Sequence, residues 1–169
     1  ARLKADLDKL PKTEVTPPQV SAPKPVFGRN LLIVDKPTRS VAMSLGKPIA
    51  VKRGDPDFVP LLLAQSWLGQ HRSSGVRLFE RIREIRGLNY GDFAYAEHFT
   101  QEGWSRFPLP NEARRQQYFS IWLRPLRPNA AHFAIRLAVR ELRRLASEGL
   151  SQAELDRVRT FADAYFALY

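Results

Sequence analysis

Apolar positions along this chain change their period from block to block. Over residues 2–10 (RLKADLDKL), Leu3, Leu7 and Leu10 recur three to four apart, the spacing of one helix face, and Pro11 ends the run. Residues 11–25 carry Pro11, Pro17, Pro18, Pro23 and Pro25 among Lys, Thr and Gln, which reads as an extended linker. The globular body is expected from Phe27 onward, dividing the chain into 1–26 and 27–169.

Within that body, Leu31–Val34 is a continuous apolar run between Gly28 and Pro37, the pattern of a strand buried on both faces. Ser40–Leu45 is a second strand candidate ended by Gly46, and RGDP (53–56) is a turn. The stretch from Asp57 to Gly69 suits a buried helix, with Pro60 in its first turn and Gly69 as its stop. A further helix is predicted from Ser73 or Ser74 to Arg86, with Val76, Phe79, Ile82 and Ile85 as its apolar stripe and Gly87 as its end.

Tyr90–Phe99 alternates, with Phe93, Tyr95 and Phe99 on one side, and reads as a strand. Residues 100–116 are polar and irregular. Gln117–Leu123 is an aromatic and β-branched strand. Asn129 is the expected cap of a long helix to about Ser147, with Phe133, Leu137, Leu142 and Leu145 inward and Gly149 as its break. Ser151-Gln152-Ala153-Glu154 is a capping box opening a last helix, with Leu155, Val158, Phe161, Ala162 and Tyr165 on one side. About four strands and four or five helices in mixed order predict an α+β fold, a largely antiparallel sheet with helices on one face.

Composition narrows the chemistry. The chain has 169 residues, enough for one domain with a core. No apolar run approaches the roughly 20 residues that span a bilayer. The absence of cysteine excludes disulfides, thiolate metal sites and cysteine nucleophiles. The net charge of +10 favours acidic partners without choosing among nucleic acid, anionic lipid and acidic peptide. The chain opens on Ala1 with no charged-then-apolar leader, as expected of a mature or excised segment. It is still helical in pattern at Tyr169, as expected of a cut within a larger polypeptide.

The three histidines, His71, His98 and His132, form no metal-binding spacing, so no metal site is expected on this chain. No nucleophile elbow, dinucleotide fingerprint or P-loop occurs. Arg72, Arg77, Arg81, Arg83 and Arg86 read either as a phosphate-binding face or as a solvated one. Interleaved Glu80 and Glu84 favour the second. Arg83 in the last helical turn and Tyr90 at the start of the next strand can reach the same end of the sheet and hold a peptide carbonyl. Equally, Arg83 can cap its own helix and Tyr90 can be core.

The segment SSGVRLFERIREIRGLNYGDFAY (Ser73–Tyr95) resembles the non-zinc half of the pitrilysin/insulinase family of zinc metallopeptidases, which includes the mitochondrial processing peptidases. Leu78-Phe79, Ile82-Arg83-Glu84 and Gly87-Leu88-Asn89-Tyr90 fall in the register of that half's pattern. LLIVDKP (31–37), DPDFVPLLLAQSWLG (55–69) and EGLSQAELDRVRTF (148–161) are similar to its opening strand, its first helix and a later helix start. The likeness covers roughly residues 2–166. Gln70-His71-Arg72 stand where the family has Gly-Gly.

The resemblance implies two similar halves facing each other across a peptide chamber. Zinc is expected on the partner half, on the same chain or a separate subunit, and no metal or catalytic residue on this one. Residues 1–26 correspond to the helix and spacer from the preceding half, and 27–169 to an inactive half-domain incomplete at its C-terminal end. The substrate-binding residues carried over are Arg83 and Tyr90, as positioning or oxyanion donors near the opposing zinc. The chain alone is expected to be inactive. The alternatives are a degenerate module kept for assembly and, driven by charge, a nucleic-acid binder, which is not the expected partner. Exported bacterial relatives make the periplasm or cell envelope the expected compartment.

Overall fold

The computed structural model of the chain describes residues 2–11, 16, 18–19, 21–22, 24–70, 75–96 and 116–167. Three strands form one antiparallel sheet: β1 (Val41–Ile49), β2 (Gly91–Tyr95) and β3 (Gln117–Leu126), in the order β1-β3-β2. Around it run α1 (Arg2–Leu7), α2 (Phe58–Gly69), a π-helix (Phe79–Glu84), α3 (Pro128–Glu148) and α4 (Gln152–Phe166).

The pairing Leu45–Ile121–Ala94 places one residue of each strand in a row across the sheet. Leu123 is in register with both Met43 and Asp92. Met43, Leu45, Ile121, Leu123 and Ala94 all pack into the core with Leu68, Leu78, Ile82, Ala134, Ala138 and Val158 from the helices. The helices therefore share one face of the sheet, and the fold is α+β as expected. Each fully buried Leu or Ile in that layer contributes about 1.5–3 kcal/mol.

Several local expectations are corrected. Leu31–Val34 is not a strand. Its residues are 85, 87, 76 and 67% exposed, and no described strand pairs with them. An apolar run signals a tendency to be buried, but a strand also needs a ladder partner. β1 does not stop at Gly46. A Cβ there would collide with the Phe119 carbonyl oxygen, so the glycine permits close strand approach.

Gly69 ends α2 as expected, and like Gly46 it also permits a close approach. A Cβ on it would lie 2.5 Å from the Ala94 nitrogen, so its role is to seat the helix against β2. Burial in α2 is confined to Ser66–Gly69. In α3, Arg127 is the cap and Pro128 the first helical residue, so Asn129 lies inside the first turn. Phe133 is exposed, and Ala130, Ala134, Leu137 and Ala138 form the inward stripe with Leu142 and Leu145 packed beside it. The leucines of α1 are exposed.

Other expectations hold. Gly149 adopts a left-handed φ of 70° after α3. The Ser151–Glu154 capping box is complete, with the Ser151 amide donating to Glu154 at 2.9 Å. Residues 71–74 and 97–115, with His71, His98, Arg72, both serines and Phe99, lie outside the described residues, as does the Tyr165 side chain.

A knot of charge ties the helical layer together. Arg77 Nε donates to the buried Glu141 carboxylate of α3 at 2.6 Å, and Arg77 also lies 3.6 Å from Glu80. Its guanidinium sits over the buried Trp67 ring of α2 at 5.9 Å, and Arg144 sits over the same ring at 5.6 Å. Arg144 reaches Glu148 at 3.0 Å and Glu154 of α4 at 3.5 Å. Burial disfavours charge on Glu154, but hydrogen bonds from Ser151, with help from Arg144 and Trp67, outweigh it and hold the carboxyl below its usual range.

Removing Glu141 leaves the largely buried Arg77 with only the longer 3.6 Å contact to Glu80. Glu141→Ala is expected to destabilise the fold by about 3–5 kcal/mol in urea unfolding. A loss under about 1 kcal/mol would show that the pair is exchanged for water without penalty.

Candidate functional site

The site is built by the passage from the π-helix into β2. Leu78 and Ile82 are both fully buried, whereas Ile85 of the expected three-residue stripe is exposed. The Ile85 amide donates to the Glu80 carbonyl at 3.0 Å, closing a π-turn. Gly87 then takes a left-handed φ of 59°, with its amide on the Arg83 carbonyl at 2.8 Å and the Leu88 amide on that of Ile82 at 3.1 Å. This turn sends Leu88 toward the core, buries Asn89 and leaves Tyr90 at 49% exposure where β2 begins.

Arg83 and Tyr90 meet. The Arg83 guanidinium lies over the Tyr90 ring at 5.1 Å. Arg83 Nη1 donates to the Asn89 main-chain carbonyl at 3.0 Å. Arg83 therefore does not cap its own helix, a task that falls to Arg86, whose Nη1 donates to the Arg81 carbonyl at 2.7 Å. Half-exposed Tyr90 is not a core residue. Nor are the described arginines of this segment a uniformly solvated face: Arg77 is ion-paired, Arg86 packs over the Phe133 ring and the Arg81 Nε is buried without a partner among the described residues.

Beneath the pair lies a polar contact that sequence reasoning missed. Asn89 Nδ2 donates to Asp92 Oδ1 and to the Gly91 carbonyl. Asp92 is 1% exposed, and its Oδ2 and the Asn89 Oδ1 have no hydrogen-bond partner among the described residues. Burial pushes the Asp92 carboxyl up to about 7, against the smaller opposing effect of the Asn89 hydrogen bond. The signal available in the sequence was an acidic residue inside an otherwise apolar strand. Strict alternation assigns Asp92 to a solvent face, but the residues on both sides of β2 are buried.

Among the described residues no cluster of three or more His, Asp or Glu could hold a metal ion, and His132 stands exposed on α3. Around Arg83 and Tyr90 the described side chains offer hydrogen-bond donors and the buried Asp92 carboxyl. No described helix is long and apolar enough to cross a membrane.

The raised Asp92 carboxyl has a definite sign in stability. Its folded value near 7 exceeds the ordinary 3.8, so the folded state holds a proton that the unfolded state releases. Its effect is absent below pH 4. It destabilises progressively as pH rises from 4 to 7 and is constant above, reaching about 4 kcal/mol at 1.36 kcal/mol per unit. Asp92→Asn is expected to match wild type near pH 4, to exceed it by a few kcal/mol at pH 8 and to flatten the profile between. Parallel urea-unfolding profiles for the two proteins would refute the burial argument.

The sequence profile described as "Peptidase M16 inactive domain" matches residues 3–161. No curated protein matches significantly. Among solved structures, the peptidase M16 inactive domain from Pseudomonas fluorescens is similar to the chain at a TM-score of 0.60 and 24% identity. The likeness covers 75% of this chain and 27% of that one, so this chain spans about a quarter of that protein's length. At that identity the likeness concerns the fold, and the family match supplies the rest: the chain belongs to the peptidase M16 family, as its inactive domain.

Proposed function

We propose that this domain is the substrate-binding, non-catalytic half of a zinc metalloendopeptidase, completing the peptide chamber opposite a zinc-bearing half. In this reading residues 27–169 form the half-domain and 1–26 the helix and linker from the preceding half. Arg83 and Tyr90 contact the peptide. The zinc of the other half, when bound, supplies the polarised carbonyl and the activated water. This chain supplies hydrogen-bond donors to the oxygen on which charge develops.

The observation that carries the reading is the juxtaposition of Arg83 and Tyr90 at the mouth of β2. Arg83 spends one N–H on Asn89 and keeps the rest of its five-donor fork for another acceptor. The Tyr90 ring packs against the guanidinium at 5.1 Å, which together with the Asn89 hydrogen bond reduces the rotamer freedom left to be lost on binding. Donors held in place before reaction are the arrangement that stabilises an oxyanion at least cost.

In the full-length peptidase with its zinc half, Arg83→Ala is expected to lower peptide cleavage tenfold to a thousandfold with folding intact, about 1.4–4 kcal/mol of lost transition-state stabilisation. Unchanged cleavage would leave the domain as a wall of the chamber with an assembly role.

A further inference from the structure

The Arg83–Tyr90 pair is held by a buried support that no surface feature reveals. Asn89 sits between the two residues in sequence and below them in space. Its main-chain carbonyl receives the Arg83 guanidinium, and its side chain is anchored on the Asp92 carboxyl and the Gly91 carbonyl. Asn89 is 5% exposed, so rotation of its side chain would strand a buried amide. Fixing the Asn89 side chain fixes the peptide plane whose oxygen Arg83 uses. The ring of the next residue, Tyr90, turns with that plane.

We propose that Asn89 and Asp92 are positioning residues: the buried amide–carboxyl contact sets the Asn89 carbonyl and the Tyr90 ring, and through them the direction in which Arg83 presents its remaining donors. The geometric part stands on the hydrogen bonds alone. Its consequence for cleavage rests on the proposed role of Arg83.

Asp92 is a costly residue to place here. A buried carboxyl with an unpartnered oxygen weakens the fold, where a leucine or valine in the same strand would strengthen it. Beyond the strand it interrupts, its one described side-chain partner is Asn89, and the one described partner of the Asn89 carbonyl is Arg83. The chain of contacts thus runs from a destabilising buried acid to the exposed pair.

The test uses the full-length protein with arginine side chains selectively labelled for NMR. The Arg83 guanidinium lies over the Tyr90 ring, so its Nε–H and the adjacent Cδ protons are expected to be displaced upfield by the ring current, and Arg83→Lys identifies the resonance. Asn89→Ala and Asp92→Leu, the latter filling the buried site without an acceptor, are expected to abolish the displacement while the fold persists. Asp92→Asn keeps a carbonyl oxygen for the Asn89 amide and is expected to preserve it. A displacement unchanged in folded Asn89→Ala and Asp92→Leu would overturn the proposal, as would its loss in Asp92→Asn.

Cleavage gives the second arm. Asn89→Ala is expected to lower kcat/KM about tenfold in the wild-type background and not further in the Arg83→Ala background. Equal losses in both backgrounds would mean that Asn89 acts on stability or elsewhere. Should Arg83→Ala itself leave cleavage intact, the substrate-binding reading falls, and the ring-current measurement still decides the positioning.

Discussion

The ion pair between Arg77 and Glu141 is the constraint on which the helical layer depends. Both side chains are largely removed from water, and such a pair is stabilising only when its geometry and surroundings offset desolvation. Here they do so through a 2.6 Å contact, the Trp67 ring beneath the guanidinium and Arg144 on the same ring. The pair fastens the chain just before the π-helix to α3, while Trp67 carries the contact to α2 and Arg144 to α4. Because Arg77 is fixed, so is the start of the π-helix that carries Arg83 six residues later.

The second constraint is the left-handed turn at Gly87. A right-handed residue there would carry the helix onward, and Asn89 would not descend into the core. With the glycine in place, four consecutive residues have distinct tasks: Leu88 packs, Asn89 anchors, Tyr90 emerges and Gly91 starts β2. A domain with no described metal cluster can in this way still offer a defined pair of side chains at the end of its sheet.

Much of this was legible in the sequence. The Ser151–Glu154 capping box, the breaks at Gly87 and Gly149, the strand at Gln117 and the α+β class all follow from local rules that the tertiary structure respects. The meeting of Arg83 and Tyr90 was readable as a possibility from their spacing around a helix end. What escaped was set by partners remote in sequence. Leu31–Val34 has the composition of a strand and no described strand beside it. Gly46 reads as a stop because the backbone it approaches, at Phe119, lies far along the chain, and the close approach of Gly69, which does end α2, to Ala94 is hidden for the same reason. The stripe over Val76–Ile85 holds at Val76 and Ile82 and fails at Ile85, where the chain has left the helical layer, while Leu78 joins it from four residues before Ile82. Asp92 drew no notice because alternation alone does not reveal that β2 is buried on both sides.

The central claim is that Arg83 and Tyr90 act on the peptide as one unit. A double-mutant cycle on kcat/KM in the full-length peptidase, with Arg83→Ala, Tyr90→Phe and the combination, tests it most directly. If the two side chains form one binding element, the double variant loses less than the sum of the single losses, with a coupling of about 0.5–3 kcal/mol. Strictly additive losses, or no loss in either single variant, would contradict the account.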